Sequence, residues 1–193
     1  MPVTLGAKQE HGFDQPPGLL SDCHRRIERF LDAMISVLGR AGERALIAEE
    51  RDALEVALRY FETAAPRHTQ DEDESLFPRL RACGLPSARA AMTRIDALQA
   101  DHRRAESLHA EVAGLCRLWL DTGPLARRQR EQLARLLGDL REIYVRYIAV
   151  EDQDIFPLAQ QVLNERALAQ IGFEMARRRG VAHVVELGLE YHQ

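Results

Sequence analysis

Two eleven-residue stretches of this chain repeat each other. His68-Thr69-Gln70-Asp71-Glu72-Asp73-Glu74-Ser75-Leu76-Phe77-Pro78 aligns with Tyr147-Ile148-Ala149-Val150-Glu151-Asp152-Gln153-Asp154-Ile155-Phe156-Pro157, each residue 79 positions after its counterpart. Upstream, His24 and His102 stand 78 positions apart. The same polar marks recurring at one interval, in a chain of helical period, describe two helical hairpins in tandem.

The period is helical almost throughout. Leu20, Ile27, Leu31, Met34 and Leu38 share one stripe at steps of three, four or seven. Ser21 or Asp22 can cap this first helix, and Gly39 and Gly42 mark its end. A second helix is expected from about Glu43 to Leu80, kinked at Pro66 because proline lacks the N–H for the helical bond. Gly84-Leu85-Pro86 breaks the chain. A third helix should span Ser87 to Leu120, with Met92, Ile95, Leu98, His102, Leu108 and Leu115 facing inward. Asp121-Thr122-Gly123-Pro124 is a turn, and a fourth helix should run from Leu125 to Leu163. Residues 165–179 read as a short fifth helix stopped by Gly180. No strand alternation of useful length occurs. The expectation is an all-α fold: an up-down four-helix bundle over residues 19–163, a loose arm over 1–18, and a C-terminal helix and tail over 164–193.

Composition excludes several classes. Net charge is −4, from 26 basic and 30 acidic residues, without the clustered basic excess of a nucleic-acid surface. Arg127-Arg128 and Arg177-Arg178-Arg179 read as solvated helix faces or ends. No apolar run reaches membrane-spanning length. Cys23, Cys83 and Cys116 form no CxxC pair, which fits a reducing cytoplasm, and Met1-Pro2-Val3-Thr4-Leu5 does not open a signal peptide.

The repeated marks have chemistry in common. Residues four apart lie on one face of a helix, so His68 and Glu72 can point to one place, as can Tyr147 and Glu151. His24 and His102 can approach from the first and third helices. Imidazoles, two carboxylates and a phenol would then meet on the bundle axis. A carboxylate has two oxygens and can bridge two cations. Nitrogen and oxygen donors without thiolate favour iron or manganese, with zinc possible. Left without a cation, such groups would be expensive to bury.

On these residues the chain resembles the hemerythrin-like family, the HHE cation-binding domain. The resemblance rests on Asp22-Cys23-His24-Arg25-Arg26-Ile27-Glu28, on Pro66 through Pro78 and on Asp101-His102, and covers roughly residues 20–160. It implies an up-down four-helix bundle with two non-haem iron ions, held at full complement by five histidines and two bridging carboxylates. It also implies binding of, or reaction with, a small ligand such as oxygen, nitric oxide or peroxide. The matching residues are His24, His68, Glu72, His102 and Glu151. Tyr147 stands where the family has histidine. It either ligates as a phenolate, which would favour ferric iron over reversible oxygen carriage, or one iron lacks that ligand and takes water while Tyr147 serves as a neighbouring or gating residue. A metal-linked sensor, or an iron storage or delivery protein without turnover, is the alternative. Whether the chain is an enzyme is left open.

Glu28 and Glu106 each follow a lone histidine by four and could hold it, although exposed salt bridges are the simpler reading. Tyr144 shares the Glu151 face but aligns with Ala65. His109 reads as a core residue or a neighbour of the site, and His11, His183 and His192 as surface.

Overall fold

The computed structural model describes residues 11–181, and every regular element among them is helical. Helix α1 spans Pro16–Ala41, α2 Ala48–Thr63, α3 Ala65–Gln70, α4 Phe77–Ala82, α5 Pro86–Thr122, α6 Arg127–Val150, α7 Phe156–Val162 and α8 Glu165–Arg178. A π-helical turn at Asp71–Leu76 joins α3 to α4, and another at Glu151–Ile155 joins α6 to α7. The expected second helix is thus α2, α3, the first π turn and α4. The expected fourth is α6, the second π turn and α7. No described helix is long and apolar enough to cross a membrane.

Helix α1 packs along α2 and α6, and α5 along α6 and, more thinly, α2. Ile27, Leu31, Leu54, Ile95, Leu137 and Leu140 lie in the core between them. Helix α1 begins at Pro16, where the missing proline N–H would have no helical partner in any case. Ser21 and Asp22 are therefore mid-helix residues and not caps. Gly42 closes α1 at φ 56°, a conformation that suits glycine. Helix α2 breaks at Ala64, just before Pro66, as proline chemistry requires.

Part of the expected arm is packed. Phe13 lies against the core, and the His11 N–H donates to Asp22 Oδ2 at 2.8 Å, so His11 is not a free surface residue. Gly172 on α8 lets this segment approach, because a Cβ there would fall 1.8 Å from the Phe13 carbonyl oxygen. His183 and His192 lie outside the described residues.

Helix α8 does more than cover the bundle. Arg178 and Arg179 reach the fully buried Asp71, at 2.9 and 2.7 Å. Glu174 accepts from Ser75 at 2.6 Å and from Arg79 at 2.7 Å. The run Arg177-Arg178-Arg179, expected to be solvated, supplies two guanidinium groups that hold the first π turn.

Candidate metal centre

Each Phe-Pro pair explains the π turn before it. A proline at position 78 cannot donate to the carbonyl of Glu74, and its ring crowds that carbonyl. The ladder accommodates this by widening by one residue. The Phe77 N–H bonds to the Glu72 carbonyl, and the Phe156 N–H bonds to the Glu151 carbonyl. The repeat thus encodes a local distortion as well as its ligand-type side chains. Both glutamates stand at these widened turns.

His24, His68, Glu72 and Glu151 come together, all buried, with one nitrogen or oxygen of each within 4.8 Å of the others. His24 Nε2 lies 3.1 Å from Glu151 Oε2 and 3.7 Å from Glu72 Oε1. His68 Nε2 lies 3.4 Å from Glu72 Oε1. His102 Nε2 closes the set at 3.5 Å from both Glu72 Oε2 and Glu151 Oε1. The Tyr147 ring is buried beside them, 5.2 Å between centroids from His102 and 6.3 Å from His24. Of the six residues singled out in the sequence, four form one cluster, His102 lies against both carboxylates, and the Tyr147 ring packs beside the histidines.

Two aspartates complete the arrangement. His24 Nδ1 is 3.0 Å from Asp152 Oδ1, and His102 Nδ1 is 3.3 Å from Asp73 Oδ1. An Nδ1–H donated to a carboxylate leaves Nε2 as a lone pair aimed at the centre. The histidine rings are also backed by phenylalanine: Phe156 stacks on His24 at 5.3 Å and Phe77 on His102 at 6.2 Å. Each histidine is therefore oriented by the aspartate and phenylalanine of the other hairpin. Glu28 and Glu106, four residues after those histidines, are exposed instead. The simpler, exposed reading of these two glutamates holds, and the carboxylates that hold the histidines come from the other hairpin. The available signal was the acid after each glutamate, Asp73 or Asp152, kept in both copies of the repeat.

The donor set fits a cation. Both oxygens of Glu72 and of Glu151, both nitrogens of His68, and Nε2 of His24 and His102 make no hydrogen bond of proper geometry, although all are buried. Unsatisfied buried polar groups each cost about 1–3 kcal/mol. Positive charge at their common centre would satisfy them.

Without a cation, protons do that work. Burial and the Glu151 charge push the Glu72 carboxyl up to about 8. Burial opposes charging of His102, but Asp73, Glu151 and Glu72 outweigh it and raise its imidazole to about 10. Burial beside His24 and His102 holds His68 well below its ordinary value. Between pH 4.5 and 8 the folded protein binds a proton at Glu72 that the unfolded chain releases, so this stabilisation is lost as pH rises. His102 adds a loss of the same sign between 6.5 and about 10. His68 acts oppositely, and only as pH falls below 6.5. Chelator-treated protein is therefore expected to melt about 5 °C or more lower at pH 9.5 than at pH 6.5. Scanning calorimetry showing a flat or rising melting temperature over that range would contradict the assignment.

A helical bundle with a buried cluster of histidine and glutamate is a metal-binding architecture. The hemerythrin HHE cation-binding domain matches residues 16–159, and the chain belongs to that family. It is also similar to an uncharacterized protein of Haemophilus influenzae, 28% identical over 181 residues, a span of 92% of this chain and 97% of that protein.

Proposed function

We propose that the chain holds two metal ions, iron foremost with manganese or zinc as alternatives, and binds or reacts there with oxygen, nitric oxide or peroxide. The observation that carries this reading is the pair of buried carboxylates, Glu72 and Glu151. Both oxygens of each lack a hydrogen bond, and both residues lie between His24 and His102. Two carboxylates of this kind can each bridge two cations.

In this reading His24, His68, His102, Glu72 and Glu151 would hold the ions, with the two carboxylates able to serve both, and Tyr147 would take the place of a further histidine. The four long helical segments would run in up-down order. Bound iron would supply one-electron chemistry and an open coordination position. The chain's own residues do the rest. Asp152 and Asp73 fix the tautomers of His24 and His102, and Phe77 and Phe156 back the rings and exclude water. The three free thiols are consistent with the cytoplasm. A metal-linked sensor is the second reading. It is favoured by the contact of α8 with the turn that carries Glu72, which joins the C-terminal segment to the site.

Element analysis of protein purified from metal-replete medium should find about two ions per chain. A preparation without iron, manganese or zinc would remove the proposal.

Tyr147 gives a separate readout. In the metal-free protein, burial raises its phenol well above the ordinary value, with further contributions from Tyr144 and the two glutamates. A ferric ion at the centre would favour the phenolate. The ferric protein should then show a strong visible charge-transfer band, absent from Tyr147→Phe, which should retain its helical signal and at least one metal. A band that survives this substitution would make Tyr147 a wall residue only.

A further inference from the structure

A cavity of about 520 Å³ opens along the seam of α2 and α3 with α5, and ends against His102 and Tyr147. Its size exceeds the need of the ligands proposed above. A water-sized molecule takes roughly 30 Å³, so the space is more than ten times too large for one diatomic. It lies within the usual range of pockets for organic molecules, roughly 300–1,000 Å³.

The sequence produces the space. Helices α2 and α5 meet thinly, and at this seam α5 presents the short side chains of Ala105 and Ala113. Leu58 and Phe61 face them from α2, and Ile27 and Met34 of α1 line the interior. At the mouth, Glu62 and Arg117 pair across the seam and neutralise each other.

Asp73, Arg103 and Glu106 also line the cavity, Asp73 beside His102 at 3.3 Å; away from these and from the Glu62–Arg117 pair, the hydrogen-bonding groups between α5 and α6 are His109 and Tyr144. His109 Nε2 lies 2.6 Å from the Tyr144 hydroxyl, and its ring stacks on Phe61 at 4.3 Å between centroids. Burial pushes the His109 imidazole down to about 4, so it is neutral at ordinary pH. The Tyr144 hydroxyl also bonds to Tyr147, and of its one O–H and two lone pairs a single site remains for a ligand, the O–H or a lone pair according to which neighbours donate, and a hydroxyl head can answer either. Apolar walls around a neutral hydrogen-bonding pair do not suit a charged ligand, which would lose its hydration uncompensated. They suit a neutral molecule with an apolar body and one O–H.

We propose that this cavity binds a neutral organic molecule of up to about fifteen non-hydrogen atoms, at roughly 30 Å³ each, carrying a single hydroxyl-type head such as an alcohol, phenol or organic hydroperoxide. The head bonds to the Tyr144–His109 pair, and the body lies along Ile27, Met34, Leu58 and Phe61. The cavity's inner end places such a molecule beside the proposed metal centre, so the inference deepens that reading. Binding itself depends on the cavity alone.

The test is calorimetric titration with cumyl alcohol and with tert-butylbenzene, which has the same shape with methyl in place of hydroxyl. Metal-free and metal-loaded protein are titrated in parallel, and metal content is measured separately, so failure of the metal reading and failure of this one are distinguishable. Wild type should bind one cumyl alcohol below about 1 mM in both forms, and about tenfold more tightly than the hydrocarbon. Tyr144→Phe should erase that preference while still binding both. Ala113→Leu, checked for its helical signal, should weaken both by about tenfold. Absence of saturable binding, a preference that persists in Tyr144→Phe, or an Ala113→Leu variant that binds as wild type would each overturn the proposal.

Discussion

Glu72→Ala is expected to leave the purified protein with well under one metal ion per chain, while His24→Ala should keep about one. The difference follows from the number of cations each side chain can serve. Oε1 of Glu72 lies toward His24 and His68, and Oε2 lies toward His102. Its two oxygens thus face both sides of the centre, and removing it takes a donor from each proposed ion. It would also leave Glu151 as the sole carboxylate between them. His24 has one nitrogen, Nε2, directed at the centre, since Nδ1 is committed to Asp152. Its loss deprives one ion of one donor. The comparison should be made on freshly purified protein, by element analysis against protein concentration, with far-ultraviolet dichroism to establish that both variants are folded. Equal metal content in the two would argue that Glu72 is a terminal ligand.

The second large effect is expected where α8 meets the first π turn. Replacing Arg178 and Arg179 together by alanine should lower the melting temperature by about 10 °C, because it strands Asp71. That aspartate is fully buried and is held by both guanidinium groups. Breaking a buried ion pair from one side costs about 3–5 kcal/mol, since a charge is left in the interior without compensation. In a domain of this size each kcal/mol moves the midpoint by about 2–4 °C. The origin of the effect is testable by adding Asp71→Asn to the double variant. If the stranded charge is responsible, the neutral amide should recover most of the lost stability. If the loss comes from α8 detaching altogether, the triple variant should melt no higher than the double. Because Asp71 immediately precedes Glu72, the double variant should also retain its metal more poorly during dialysis against a chelator.

The stretch Asp71-Glu72-Asp73-Glu74 shows how far the sequence could be read. Four consecutive acids look alike, yet each goes to a different place. Asp71 meets α8, Glu72 enters the centre, Asp73 reaches His102, and Glu74 stays exposed with Arg178 beside it. Glu72 could be picked out because its partner in the repeat is Glu151 and because His68 sits one turn before it. The roles of Asp71 and Asp73 were not legible. They depend on which helix crosses this turn, and helical spacing carries no information about residues on other elements. His24, His68, His102, Tyr147 and Glu151 were legible for the same reason as Glu72: the second copy serves as an internal control on the first. The helices were readable from period and from Gly42, Pro66 and Gly180, but boundaries shifted wherever proline altered the ladder. The π turns were not legible in the apolar period, because one extra residue in the ladder leaves a helical stripe nearly unchanged, and only the prolines of the two Phe-Pro pairs mark where the ladder widens.

The crossing of aspartates between hairpins bears on where such a chain could have come from. Asp152 serves His24 and Asp73 serves His102, an exchange that is the same in both directions. One hairpin alone has a histidine with no aspartate to orient it and an aspartate with no histidine to hold. Two identical copies of one hairpin, placed face to face, have everything: residues like His24, His68, Glu72 and Asp73 taken twice over. The arrangement is thus already complete in a self-associating peptide of half this length. Gene duplication and fusion would then have to add only the connection between Ala82 and Pro86, after which each half was free to diverge. Tyr147, standing opposite His68, is the kind of difference that such freedom permits, because a fused chain can alter one end of its centre without altering the other.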